Sequence, residues 1–158
     1  MSKIEQSWYK PFSLITLLLL PLSAIFGCIS LLRRYCYKFG IFKSFISKTP
    51  VIVVGNISVG GNGKTPFVLW LYDYLTAKGL SVGLISRGYG GQATHYPLLV
   101  TAQTTTREAG DEPVLLFNRL QCPLVVGPNR QHNIEKLNAN FKLDVIISDD
   151  GMQHYKMA

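Results

Sequence analysis

The sequence predicts an α/β protein, a parallel sheet flanked by helices and preceded by an apolar N-terminal helix. Three observations predict it. Residues 12–32 carry no charge. From residue 50 onward, short β-branched runs alternate with helical patterns. A glycine-rich stretch, GNISVGGNGKTPF at 55–67, separates the first such run from the first such helix.

The apolar segment comes first. FSLITLLLLPLSAIFGCISLL, at about 1.5 Å per residue, covers roughly the 30 Å hydrocarbon core of a bilayer. A cleaved signal peptide or a lipoprotein signal at Cys28 fits poorly, because bulky Phe26 precedes that cysteine and a basic run follows. A re-entrant or interfacial helix competes, supported by Pro21 and Gly27. Lys3 and Lys10 lie before the segment, whereas Arg33, Arg34, Lys38, Lys43 and Lys48 follow it. The positive-inside rule therefore predicts residue 33 onward in the cytoplasm, with access to ATP.

Sixteen Lys and Arg against nine Asp and Glu give a formal charge of +7. The clustering of that excess beside the apolar segment favours an anionic membrane surface and argues against a nucleic-acid face. Cys28, Cys36 and Cys122 are widely spaced, without a Cys-x-x-Cys or a paired histidine, so neither a disulfide framework nor a zinc site is expected.

Beyond the segment each element has its own signal. PVIVVG (50–55) reads as a buried strand. TPFVLWLYDYLTAKG (65–79) reads as a helix, with Pro66 in the first turn, Phe67, Leu71 and Leu75 on one face and Gly79 at the end. LSVGLIS (80–86) is a strand, RGYGG (87–91) a glycine-rich loop and EPVLLFNRL (112–120) a helix. CPLVVG (122–127), a helix near 129–140 and LDVIIS (143–148) complete the alternation. Residues 92–110 hold a short strand of uncertain type.

The glycine-rich stretch carries the chemistry. A strict P-loop is Gly, four residues, Gly-Lys-Ser/Thr between a strand and a helix. Gly63, Lys64 and Thr65 match its end, while Ser58 replaces its first glycine. What the chemistry needs is a run of backbone N–H groups around phosphates at a helix N-terminus, and Gly60, Gly61 and Gly63 permit it. The predicted ATP-binding residues are Ser58, Val59, Gly60, Gly61, Asn62, Gly63, Lys64 and Thr65. Lys64 would reach the β- and γ-phosphates, and the Thr65 hydroxyl would take a place on Mg²⁺. A P-loop NTPase-like sheet follows.

Two acidic sets accompany the loop. Asp149 and Asp150 end the apolar run of 145–147, where ligands bind in open α/β sheets. Alone, Asp-Asp-Gly is a turn; with a P-loop upstream it reads as a metal site. Asp111 and Glu112 begin a helix, either as an N-cap with favourable dipole charge or as a carboxylate that prepares an attacking hydroxyl. Spacing does not decide between them.

In this order, VGNISVGGNGKTP (54–66), SRGYGG (86–91), AGDEP (109–113), VGPNR (126–130) and DDGMQH (149–154) resemble the tetraacyldisaccharide 4'-kinase family of the Gram-negative inner membrane. The resemblance implies transfer of the γ-phosphoryl group of ATP to the 4'-hydroxyl of a tetraacyl glucosamine disaccharide 1-phosphate, in lipid A biosynthesis. It implies Asp111 as the base, Lys64 as the phosphate clamp, and Thr65 with Asp149 as metal ligands. Asp150 follows with less support, and His154 reads as a structural neighbour. Ser58 becomes a family trait.

Family members run to about twice this length, with a second, smaller α/β domain and a distal histidine. The expected organisation is therefore an N-terminal segment (1–11), the anchor helix (12–32), a basic juxtamembrane segment (33–49) and a P-loop kinase domain (50–158), incomplete at its C-terminus and inactive alone. The implied partners are the lipid A disaccharide precursor and the inner-membrane surface, with no nucleic acid and no protein partner. The alternative, a membrane-associated P-loop switch or partitioning ATPase, often carries a second lysine where this chain has Val59.

Overall fold

The computed structural model describes residues 14–42, 45–55 and 63–149. The chain divides into two compact units, Met1–Ser44 and Phe45–Ala158.

In the first unit, helix α1 spans Leu14–Lys38. It continues past Leu32 because charge stops a membrane core and not a helix: Arg33, Arg34 and Lys38 are good helix formers. Its large apolar side chains are exposed, among them Leu18 and Phe26. The stretch Leu17–Lys38 is long and apolar enough to cross a membrane. Pro21 lies inside the helix.

The second unit runs β1 (Val51–Val54), α2 (Lys64–Ala77), β2 (Val82–Ser86), β3 (Leu98–Leu99), α3 (Thr106–Ala109), α4 (Asp111–Leu120), β4 (Leu124–Val126), α5 (Arg130–Asn140) and β5 (Val145–Asp149). The strands form one sheet in the order β1-β5-β2-β4-β3. Neighbouring pairs among β1, β5, β2 and β4 are parallel, as the alternation with helices predicts. Only β3 runs antiparallel, pairing Leu98 with Val126 and Leu99 with Val125 at the sheet edge. A two-residue strand fed by a loop needs no crossover helix.

Alternation along the strands divides the core between the two faces. Leu84, Leu124, Val126 and Ile147 join Val68 of α2 and Leu116 of α4. Ile85, Val125 and Ile146 join Ile134 and Leu137 of α5 on the opposite face. Such side chains, removed from water, contribute about 1.5–3 kcal/mol each.

Val68 centres the buried face of α2, with Leu71 and Leu75 beside it. Phe67 does not share that face as expected; it is exposed and lies at a tilt against Trp70, which stacks with Tyr74. The ammonium of Lys78 lies over the Tyr74 ring, 5.6 Å from its centre.

Candidate active site

The parallel register brings the candidate residues to one end of the sheet. Val54, the last residue of β1, pairs with Asp149, the last residue of β5. The strand that leads into the glycine-rich stretch thus ends beside the predicted metal carboxylate. Ser58, Val59, Gly60, Gly61, Asn62, Asp150 and His154 lie outside the described residues.

Gly63 caps α2 in the left-handed conformation, at φ 73°, which glycine adopts without steric cost. Lys64 and Thr65 then form the first helical turn and are half-buried. The Thr65 hydroxyl donates a hydrogen bond to a carboxylate oxygen of Glu112, in the first turn of α4. That bond uses the hydroxyl proton and leaves the oxygen's lone pairs available to a cation.

Asp111 is the first residue of α4, and Gly110, at φ 91°, is the cap. The N-cap possibility for Asp111 is therefore replaced: its carboxylate sits inside the first turn, where the helix dipole favours it. The side chain is exposed on a groove shared with Thr106, Val114, Leu115, Asn118 and Arg119.

The glycine-rich loop at 87–91 explains why Asp111 stands where it does. A Cβ on Gly110 would lie 2.4 Å from the carbonyl oxygen of Tyr89, and one on Gly91 would lie 2.5 Å from that of Glu108. The two backbones touch, and only glycine permits that approach. The Gln92 N–H donates to the Arg107 carbonyl at 2.8 Å, joining the same segments. Helix α3 ends at this contact, and a capping box holds its start: Glu108 accepts from the Thr105 N–H at 2.9 Å and from its hydroxyl at 2.8 Å. These bonds hold the Glu108 carboxyl below its ordinary pKa.

Arg130 supports the other side of the site. It is 3% exposed, and its guanidinium donates to the backbone carbonyl of Asp149, itself 3% exposed. Asn129 caps α5 through its side-chain oxygen, which accepts from the Gln131 and His132 N–H groups. One turn on, buried Asn133 donates to the carbonyls of Gly127, at 3.0 Å, and Ser86, at 3.4 Å, joining the ends of β4 and β2. The supporting roles of Glu112, Arg130 and Asn133 are new beside the sequence-predicted set. All three act across long sequence separations, which spacing does not reveal.

The donor set suits one kind of cation. Among the described residues no three His, Cys, Asp or Glu side chains converge into a metal-binding group. A hydroxyl and a buried carboxylate, Thr65 and Asp149, fit Mg²⁺, which is commonly held by one or two carboxylates together with substrate phosphates. In chemical terms the arrangement offers a helix N-terminus with a lysine for phosphates, and a carboxylate on an open groove next to it.

Comparison with known proteins follows the same lines. Residues 15–158 match the family described as tetraacyldisaccharide-1-P 4'-kinase, LpxK. The chain is 72% identical over 158 residues to the tetraacyldisaccharide 4'-kinase of Pseudoalteromonas translucida, covering all of this chain and 48% of that protein. It is 51% identical over 154 residues to that of Tolumonas auensis, covering 98% of this chain and 47% of the other. Its fold matches a crystal structure of LpxK from Aquifex aeolicus in complex with ATP, with a TM-score of 0.79 and 35% identity, over 92% of this chain and 47% of that one. The chain spans about half the length of the curated relatives it matches.

Proposed function

Because this chain belongs to the tetraacyldisaccharide-1-P 4'-kinase family, we propose that it supplies the nucleotide-gripping and hydroxyl-activating part of an ATP-dependent lipid kinase. The acceptor is a tetraacyl glucosamine disaccharide 1-phosphate and the product carries a second phosphate at the 4'-hydroxyl. The observation that carries the reading is the hydrogen bond from Thr65 to Glu112, which seats the start of α4, and Asp111 with it, against the turn that follows the glycine-rich stretch.

In this mechanism the backbone amides of 58–63 and the Lys64 ammonium hold the β- and γ-phosphates, replacing water with fixed donors. Thr65 and Asp149 would hold Mg²⁺, and Asp150 is a further candidate ligand. The cation, when bound, neutralises charge that develops on the transferring phosphoryl group. Glu112 orients the Thr65 hydroxyl through their hydrogen bond, and Arg130 fixes the β5 terminus that presents Asp149. Asp111 accepts the proton of the attacking sugar hydroxyl. Most of the rate enhancement is positioning.

Helix α1 and its basic turn hold the protein on the cytoplasmic side of the inner membrane, where an amphiphilic acceptor presents its sugar at the headgroup layer. Recognition of nucleic acid or of a protein partner has no role in this scheme.

The test is γ-phosphoryl transfer. This chain would be joined to the part of the Pseudoalteromonas translucida relative that it does not span, then given labelled ATP and the acceptor in detergent micelles. Label appearing in the disaccharide supports the kinase. ATP hydrolysis that responds only to an added protein, without a labelled lipid, would establish the switch ATPase instead.

A further inference from the structure

The groove that begins at Asp111 extends along the whole outer face of α4, and its chemistry changes along its length. Thr106 and Asp111 line one end, Val114 and Leu115 the middle, and Asn118 and Arg119 the other end of this shallow, open depression of about 530 Å³. Among these lining residues Asp111 is the only carboxylate and Arg119 the only cation. The helix dipole favours both charges where they are. It does not account for Leu115, which is 54% exposed between them.

From this gradient, and resting on the kinase reading above, we propose that the groove is the acceptor site and that Arg119 binds the phosphate the acceptor already carries. Asp111 and Arg119 are eight residues apart on one helix, an axial separation of about 12 Å. That is the scale of two linked pyranose rings. With the reacting hydroxyl at Asp111, beside the Thr65–Glu112 contact, the second sugar extends along α4 and places its phosphate at the last turn. The guanidinium pairs with phosphate through two parallel N–H donors. Val114 and Leu115 lie under the acylated edge of the sugars. The polarity is thereby fixed: a disaccharide entering reversed would bring its phosphate against Asp111 and be repelled. The groove thus selects the hydroxyl at the end remote from the existing phosphate.

The experiment measures binding of the completed kinase, this chain joined to the part of its relative that it does not span, to two micellar acceptors, the tetraacyl disaccharide with and without its 1-phosphate. A fluorescent ATP analogue serves as a separate readout. Wild type should bind the phosphorylated acceptor three- to tenfold more tightly, the range expected of a solvent-accessible charge-assisted pair. Arg119→Ala should remove that preference while leaving the dephosphorylated acceptor and the ATP analogue unaffected, and Arg119→Lys should restore part of it. Leu115→Asp should weaken both acceptors. Equal binding of the two acceptors by wild type, failure to bind either, or equal weakening of both by Arg119→Ala overturns the assignment. The kinase reading is judged separately by transfer in the completed protein. Transfer there with undiminished 1-phosphate preference in Arg119→Ala removes the groove proposal alone, and absence of transfer to any lipid disaccharide removes the kinase.

Discussion

The hydroxyl of Thr65 donates a hydrogen bond to the carboxylate of Glu112, across 47 positions of sequence. Each residue lies in the first turn of its helix, so one contact fixes two helix N-termini against each other. One terminus follows the glycine-rich stretch; the other begins with Asp111. In the proposed mechanism the pair couples nucleotide and acceptor handling.

Glu112→Ala removes the acceptor of the Thr65 proton and frees that hydroxyl to rotate. In the completed kinase, turnover should fall about 10- to 100-fold, the scale of a lost positioning group. Mg²⁺ titrations at fixed ATP should show a raised half-saturating concentration, which Glu112→Gln partly restores.

Gly110 and Gly90 both have positive φ, but only Gly110 faces backbone at close range. Gly90→Ala carries left-handed strain alone, about 1–2 kcal/mol. Gly110→Ala adds a collision with the Tyr89 carbonyl and should cost about 2–4 kcal/mol. Urea unfolding of the two variants checks the order.

Arg130→Ala leaves the Asp149 carbonyl without its buried donor. The expected loss is about 3 kcal/mol by urea denaturation. Arg130→Lys should recover only part, because an ammonium lacks the planar fork.

Cys122 is buried, and desolvation pushes its thiol up to about 12 from an ordinary 9.0. A raised folded pKa contributes stability that is fully present below pH 9 and lost as pH rises toward 12. Unfolding midpoints should fall across that window, and Cys122→Ala should flatten the fall. A thiol reagent at pH 8 should leave native Cys122 unmodified.

Much of this was legible in the sequence. The β-branched runs at 51–54, 82–86 and 145–149 became strands, and β2 and β5 are buried throughout as inner parallel strands are; β1, expected to be buried, stands at the end of the strand order and leaves Ile52 and Val53 exposed. The helix expected near 129–140 is α5, and the structure adds its cap, the Asn129 side chain. The short strand expected within 92–110 is β3, but its antiparallel direction was not legible, because two leucines carry no periodicity. The contacts of Glu112 with Thr65 and of Arg130 with Asp149 were not legible for another reason. A charged residue looks solvated until the fold supplies a partner, and theirs lie 47 and 19 positions away. The glycines at 88–91 read as a loop, but the backbone they approach is visible only in three dimensions.

The most direct test compares wild type with Asp111→Asn in the completed kinase, recording ATP affinity and γ-phosphoryl transfer side by side. The substitution keeps the shape and removes the proton acceptor. Unchanged ATP affinity with transfer reduced on the order of 10²–10⁴-fold is the predicted result. Transfer close to wild type would contradict it and leave Asp111 as a helix-dipole charge.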